Sequence, residues 1–185
     1  RVAIQSAEAI FALFLFIIIP IMKRTDSAFK DELLFGLKAV RESILNEALA
    51  LPAEARDRVF LGTWSVMDLL AHLAGWDFTN LQAVQDVLDG LLPEFYDHRD
   101  ADWRAYNAIL VGKYKRTDFA EQVQLVRDAQ GQLLKFLQTL PAEDFKRDTG
   151  VRYKGIKVTI ARLLQSELED EETHFEQVLA FRKSL

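Results

Sequence analysis

The sequence predicts an all-α protein folded as a four-helix bundle, and three observations carry that prediction. Apolar residues recur at three- and four-residue intervals through four long stretches. Each stretch opens on a helix-start signal. No run alternates apolar and polar residues at the two-residue period of a half-buried strand, so no sheet is expected. Four amphipathic helices, with one longer connection between the second and third that carries a shorter helix, make a bundle.

The first helix is expected from the capping pair Asp26-Ser27, with Phe29, Leu33, Leu37, Val40 and Ile44 on one face, to Leu51-Pro52. The second opens at Ser65, whose hydroxyl and the Asp68 carboxylate form a capping box. It carries Val66, Leu69, Leu70, Leu73, Leu81, Val84 and Leu88, and Gly90 and Pro93 stop it. A polar loop containing His98 leads to the shorter helix, which starts near Asp100 or Asp102. Asp118 with Glu121 opens the third long helix, which runs through Phe119, Val123, Val126, Leu133, Leu137 and Leu140 to Pro141. Asp148 to Lys157, with two glycines, reads as a turn. Thr159 caps the last helix, which carries Ile160, Leu164, Leu168, Phe175 and Leu179.

Residues 1–21 stand apart from this pattern. Ala9 to Met22 is an unbroken apolar run with Pro20 inside it, about 14 residues against the ~20 that a membrane span requires. It has no basic cluster before it beyond Arg1 and no small-residue cleavage site after it. Met22-Lys23-Arg24 reads like an ordinary cytosolic start. Three readings stay open for residues 1–21: an upstream extension outside the working domain, a membrane anchor, or a packed extra helix. Residues 22–185 form the domain.

A chain of 185 residues, half of them hydrophobic, supports one domain with a substantial core. The formal charge of −5, without a long Lys/Arg run, argues against nucleic acid as a partner, because phosphate neutralisation needs a basic face. With no cysteine there is no disulfide framework, no thiolate metal site and no protein thiol nucleophile. That fits a reducing, cytoplasmic setting.

Two of the three histidines lie on helices that otherwise read as core. His72 falls on the shoulder of the second helix's stripe, one turn after Leu69 and one turn before Trp76. Asp170 and His174 are four apart on the last helix, so both side chains leave one face. A histidine facing a carboxylate and a histidine on another helix is a candidate three-ligand site for a divalent ion, zinc or nickel by donor type. Each histidine alone reads as a satisfied core residue, and His98 as a surface one. Glu169 and Glu172 fit a solvated acidic face. Glu167 and Glu171 project to the middle of the apolar face, where burial demands a cation, a hydrogen-bond partner or a proton. They are rivals to Asp170 as third ligand, or outer partners of the site. Trp64 and Trp103 read as packing residues, and Trp76 as the tryptophan beside a pocket. There is no Gly-rich phosphate loop, no Ser-His-Asp arrangement and no HExxH.

The stretch Trp64 to Trp76, with its Trp-Ser-Val-x-Asp-Leu-Leu-Ala-His-Leu-Ala-x-Trp pattern, resembles the second-helix signature of the DinB/YfiT-like superfamily. The ending from His174 to Phe181 resembles that family's last helix. Asp102 to Asn107, and the later helix ending in Leu-Pro-Ala-Glu-Asp-Phe145, are similar to the ClbS/DfsB branch. The resemblance covers about Met22 to Leu185. It implies an up-down-down-up bundle, commonly a homodimer, with a divalent metal held at His72, Asp170 and His174. The family's usual residue at the middle position is histidine, so Asp170 is a departure, one that the mycothiol-dependent branch shares. The resemblance also implies a metal-dependent enzyme that directs a low-molecular-weight thiol, or water, at an electrophilic small molecule in detoxification or self-protection. Two other classes remain: a metal-free bundle that sequesters a small apolar ligand, and a structural helical dimer. A membrane partner enters only if residues 9–22 act as an anchor.

Overall fold

The computed structural model describes residues 25–97 and 103–185. Five α-helices make up most of this: α1 (Asp26–Leu49), α2 (Val66–Leu88), α3 (Trp103–Tyr114), α4 (Phe119–Thr139) and α5 (Ile160–Lys183). The helix starts follow the capping residues closely. Ser65 and Asp68 form a reciprocal capping box, Asp118 accepts from the Glu121 N–H, and Thr159 accepts from the Arg162 N–H. For α1 the cap is Thr25, whose hydroxyl accepts from the Ala28 N–H, so Asp26 and Ser27 lie inside the helix. At the end of α2, Gly90 has φ +76, the Leu91 N–H reaches the Asp86 carbonyl at 2.8 Å, and the Gly90 N–H reaches Val87. That is a Schellman ending, and its left-handed residue is glycine because a side chain there is strained.

The long helices run up-down-down-up, as side-chain contacts show. Arg182 near the end of α5 is paired with Glu47 near the end of α1, so these two run parallel. Lys30 at the start of α1 donates to the Gln138 and Leu140 carbonyls at the end of α4, so that pair is antiparallel. Asn80 late in α2 bonds Glu167 early in α5, while His72 earlier in α2 meets His174 later in α5. α2 therefore descends against α5. α3 lies across α2 at Gly75, where an added Cβ would stand 2.8 Å from Leu110 Cβ, so only glycine admits the approach.

One expectation needs correcting. A small sheet exists: β1 (Arg152–Tyr153) pairs antiparallel with β2 (Ile156–Lys157) in the segment read as a turn. Two residues per strand are too few for a periodic signal. Asp100, Asp102 and His98 lie outside the described residues, as does the apolar run ending at Met22. Among the described residues, no helix is long and apolar enough to cross a membrane.

The core divides into two apolar clusters. Phe29, Leu37, Leu133, Phe145 and Leu164 belong to one, and Ile44, Leu70, Leu73, Val126 and Val178 to the other. Between them, at the middle of each long helix, buried polar side chains cross the bundle: Arg41, His72, Asp77, Asn80, Gln130, Glu167, Glu171 and His174. Such a layer costs stability unless its members satisfy one another.

Candidate metal centre

His72 sits in the second turn of α2, whose start the capping box sets; Lys115 holds the same Asp68 carboxylate at 2.7 Å. The tight Leu61–Trp64 bridge before the helix folds Trp64 over the site, with ring centroids 4.8 Å from His72. His72 is only 2 % exposed, and neither ring nitrogen has a hydrogen-bond partner. Its ring stands 5.2 Å from that of His174. The Asp170 carboxylate lies against both, 3.5 Å from His72 Nε2 and 3.3 Å from His174 Nε2. Donor atoms of His72, Asp170 and His174 all fall within 4.8 Å of one another. The structure thus brings together the three residues that the sequence singled out.

Electrostatics divide the two rings. Burial pushes the His72 imidazole below its ordinary pKa, which keeps it neutral and able to offer a lone pair. Burial acts on His174 in the same direction, but the Asp170 carboxylate and Gln177 outweigh it and raise the pKa. His174 Nδ1 lies 2.8 Å from Gln177 Oε1; as donor there, the ring leaves Nε2 free toward Asp170. Burial opposes ionisation of Asp170, yet the two histidines hold it well below the usual carboxylate range.

Glu171 does not join this cluster. Arg41 from α1 donates to it through Nε at 2.9 Å and Nη2 at 2.6 Å, and turns Nη1 to Asp77 at 2.6 Å. The cation that a buried Glu171 requires is a guanidinium. The signal in the sequence is the spacing of Arg41, four residues from both Leu37 and Leu45, which puts it on the apolar stripe. Glu167 accepts from Asn80 Nδ2 at 2.9 Å. Burial, and next the neighbouring carboxylates, raise its pKa well above the ordinary value.

A cavity of about 640 Å³ opens beside the triad, and His72 and Asp170, but not His174, contribute to its lining. Trp76 lines it, its indole N–H donating to Asn107 Oδ1 at 2.9 Å. Trp103, read as a packing residue, lines it too, together with Phe95, Tyr96 and Tyr153, which were not foreseen. These rings come from the connection and the small hairpin, segments without periodicity.

A histidine–carboxylate–histidine cluster at the middle of an up-down-down-up bundle, beside an open cavity, defines a class of helical protein with a potential metal centre. The family follows from the sequence: residues 37–178 match the model of the DinB superfamily, and the chain belongs to it. The fold is similar to that of the colibactin self-resistance protein ClbS, solved in complex with a dsDNA, with 15 % identity, TM-score 0.71 and coverage of 84 % of this chain and 96 % of that one. It is also similar to YfiT from Bacillus subtilis, described as a probable metal-dependent hydrolase with an unusual four-helix bundle topology (17 % identity, TM-score 0.61, 84 % and 86 % coverage). An uncharacterised protein from Escherichia coli UTI89 is comparable, with 16 % identity, TM-score 0.67 and coverage of 84 % and 93 %. No curated protein matches the sequence. At these identities the structural likeness concerns the fold. ClbS was solved with a dsDNA, whereas this chain has a net charge of −5 and no long Lys/Arg run.

Proposed function

We propose that the protein is a metal-dependent enzyme that directs a small thiol, or water, at an electrophilic small molecule, in a detoxifying or self-protecting role. The observation that carries this is His72: a buried imidazole with no hydrogen bond at either nitrogen, beside a carboxylate and a second imidazole. An orphaned buried donor or acceptor costs about 1–3 kcal/mol, and an ion accepting the His72 lone pair removes that cost. Two imidazoles and one carboxylate fit zinc or nickel, held by His72, Asp170 and His174. Such an ion, when bound, supplies Lewis acidity that lowers the pKa of a coordinated thiol or water. The chain's own residues do the rest. Trp64 covers His72 and limits its access to water, Gln177 orients His174, and the cavity holds the electrophile next to Asp170.

The absence of cysteine supports a thiol borrowed from solution, and a cytoplasmic setting in which such thiols stay reduced. A homodimer belongs to the same reading. A metal-free sequestering protein is the second reading, and the 640 Å³ cavity is what favours it. Metal analysis of protein purified without a histidine tag separates the two. The expected result is about one zinc or nickel ion per chain, lost in His72→Ala and His174→Ala. Wild-type metal content in both variants, or none in the native protein, overturns the proposal.

A further inference from the structure

The bundle supplies the candidate metal ligands, but segments outside the four long helices supply most of the facing wall of the cavity. Phe95 and Tyr96 come from the 3₁₀ turn Glu94–Asp97, Trp103 from the start of α3, and Tyr153 from β1. With Trp76 they form a continuous aromatic surface. Trp76 meets Phe95 at 5.4 Å, Phe95 meets Tyr96 at 4.4 Å, and Tyr96 meets Tyr153 at 4.5 Å between centroids. Trp103 closes the set at 5.9 Å from Phe95. The rings are tilted or edge-on to one another, and a further ring can pack against such a set by face or by edge.

The bundle side of the same cavity carries one polar pair. Asn80 and Glu167 are 2 % and 7 % exposed. Asn80 Nδ2 donates to Glu167 Oε2, and the other Glu167 oxygen has no hydrogen-bond partner among the described residues. The geometry favours a proton on that carboxyl: Asp77 and Glu171 crowd it and share the single guanidinium of Arg41, which makes no hydrogen bond to Glu167. A protonated carboxyl with a free oxygen is a hydrogen-bond donor to an acceptor in the cavity.

Building on the reading of the site as one for an electrophile, we propose that the cavity binds a flat, conjugated carbonyl compound. Its ring system lies on the Trp76–Tyr153 surface and its carbonyl oxygen accepts from Glu167. The hydrogen bond draws electron density from the conjugated system and so makes the bound molecule more open to attack, while the wall fixes its plane.

Three matched probes test this by tryptophan fluorescence and calorimetry: 1-tetralone, its saturated counterpart 1-decalone, and tetralin, which lacks the carbonyl. The native protein is expected to bind 1-tetralone about tenfold more tightly than either of the others. Trp103→Ala narrows the gap to 1-decalone. Glu167→Leu narrows the gap to tetralin, whereas Glu167→Gln, which keeps an N–H donor, preserves it. Titration of EDTA-treated and zinc-loaded protein separates the two claims, since binding in the EDTA-treated form stands even where no metal is found. Equal affinity for the three probes, no binding of any, or preferences unchanged in Trp103→Ala and Glu167→Leu overturns the proposal.

Discussion

Arg41 on α1 and Glu171 on α5 are joined by a two-point ion pair with both side chains excluded from solvent. The same guanidinium holds Asp77 on α2, so one cation ties together three helices, two of which carry the candidate metal ligands. The pair sits between the two apolar clusters, where its geometry fixes the height of α2 against α5.

Removing that cation leaves two buried carboxylates facing each other. Arg41→Met is expected to cost about 3–5 kcal/mol in urea unfolding, the range for breaking a buried pair by loss of one partner. The triple variant Arg41→Met/Asp77→Leu/Glu171→Leu recovers most of the loss, because no charge is then left buried. A single variant as stable as wild type contradicts the role given to the guanidinium.

The carboxylates of this layer set a pH dependence. Burial lifts Asp77 from an ordinary 3.8 to about 6, and Glu167 well above its ordinary 4.5. Both bind a proton more tightly folded than unfolded, so their contribution is complete below pH 4 and is lost as pH rises through the folded values. The stability these two groups contribute therefore falls as pH rises above 4; His174, whose pKa is also raised, adds to the fall, and His72, whose pKa is lowered, opposes it. Glu167→Gln mimics the protonated form. Across pH 4 to 8 the urea midpoint of wild type should decline relative to that of this variant; parallel profiles refute the assignment.

Asp170 and Glu171 are adjacent in sequence but differ in partners. Asp170→Ala is expected to weaken zinc binding by more than about 100-fold, beyond the usual cost of losing an outer partner. Asp170→His preserves it. Glu171→Ala leaves zinc affinity within about tenfold yet loses stability, because Arg41 is left half-paired. Competition titrations with a chromogenic chelator measure the first effect and urea unfolding the second. Loss of the ion in Glu171→Ala but not in Asp170→Ala reverses the two roles.

Thr25 closes the start of α1 through its own side chain, so the helix needs no earlier residue for its cap. A chain beginning at Met22 is therefore expected to keep the helical circular-dichroism signal and a stability within about 0.5 kcal/mol of the longer chain. Aggregation or a large loss of helicity shows instead that Ala9 to Met22 packs into the bundle.

The four long helices, three of their caps and the placing of His72, Asp170 and His174 on two of those helices were legible in the sequence. Ser65, Asp118 and Thr159 act within one turn of themselves, and Asp170 and His174 share a face because 3.6 residues make a turn. Local geometry suffices for such features, and the histidine on α2 needs only a bundle to meet them. The tertiary structure alone decided that Glu171 answers to Arg41 rather than to a metal, since its partner lies 130 residues away on another helix. It also decided the aromatic wall. Phe95, Tyr96, Trp103 and Tyr153 come from short, aperiodic segments, and only packing against α2 and α5 turns them toward one cavity.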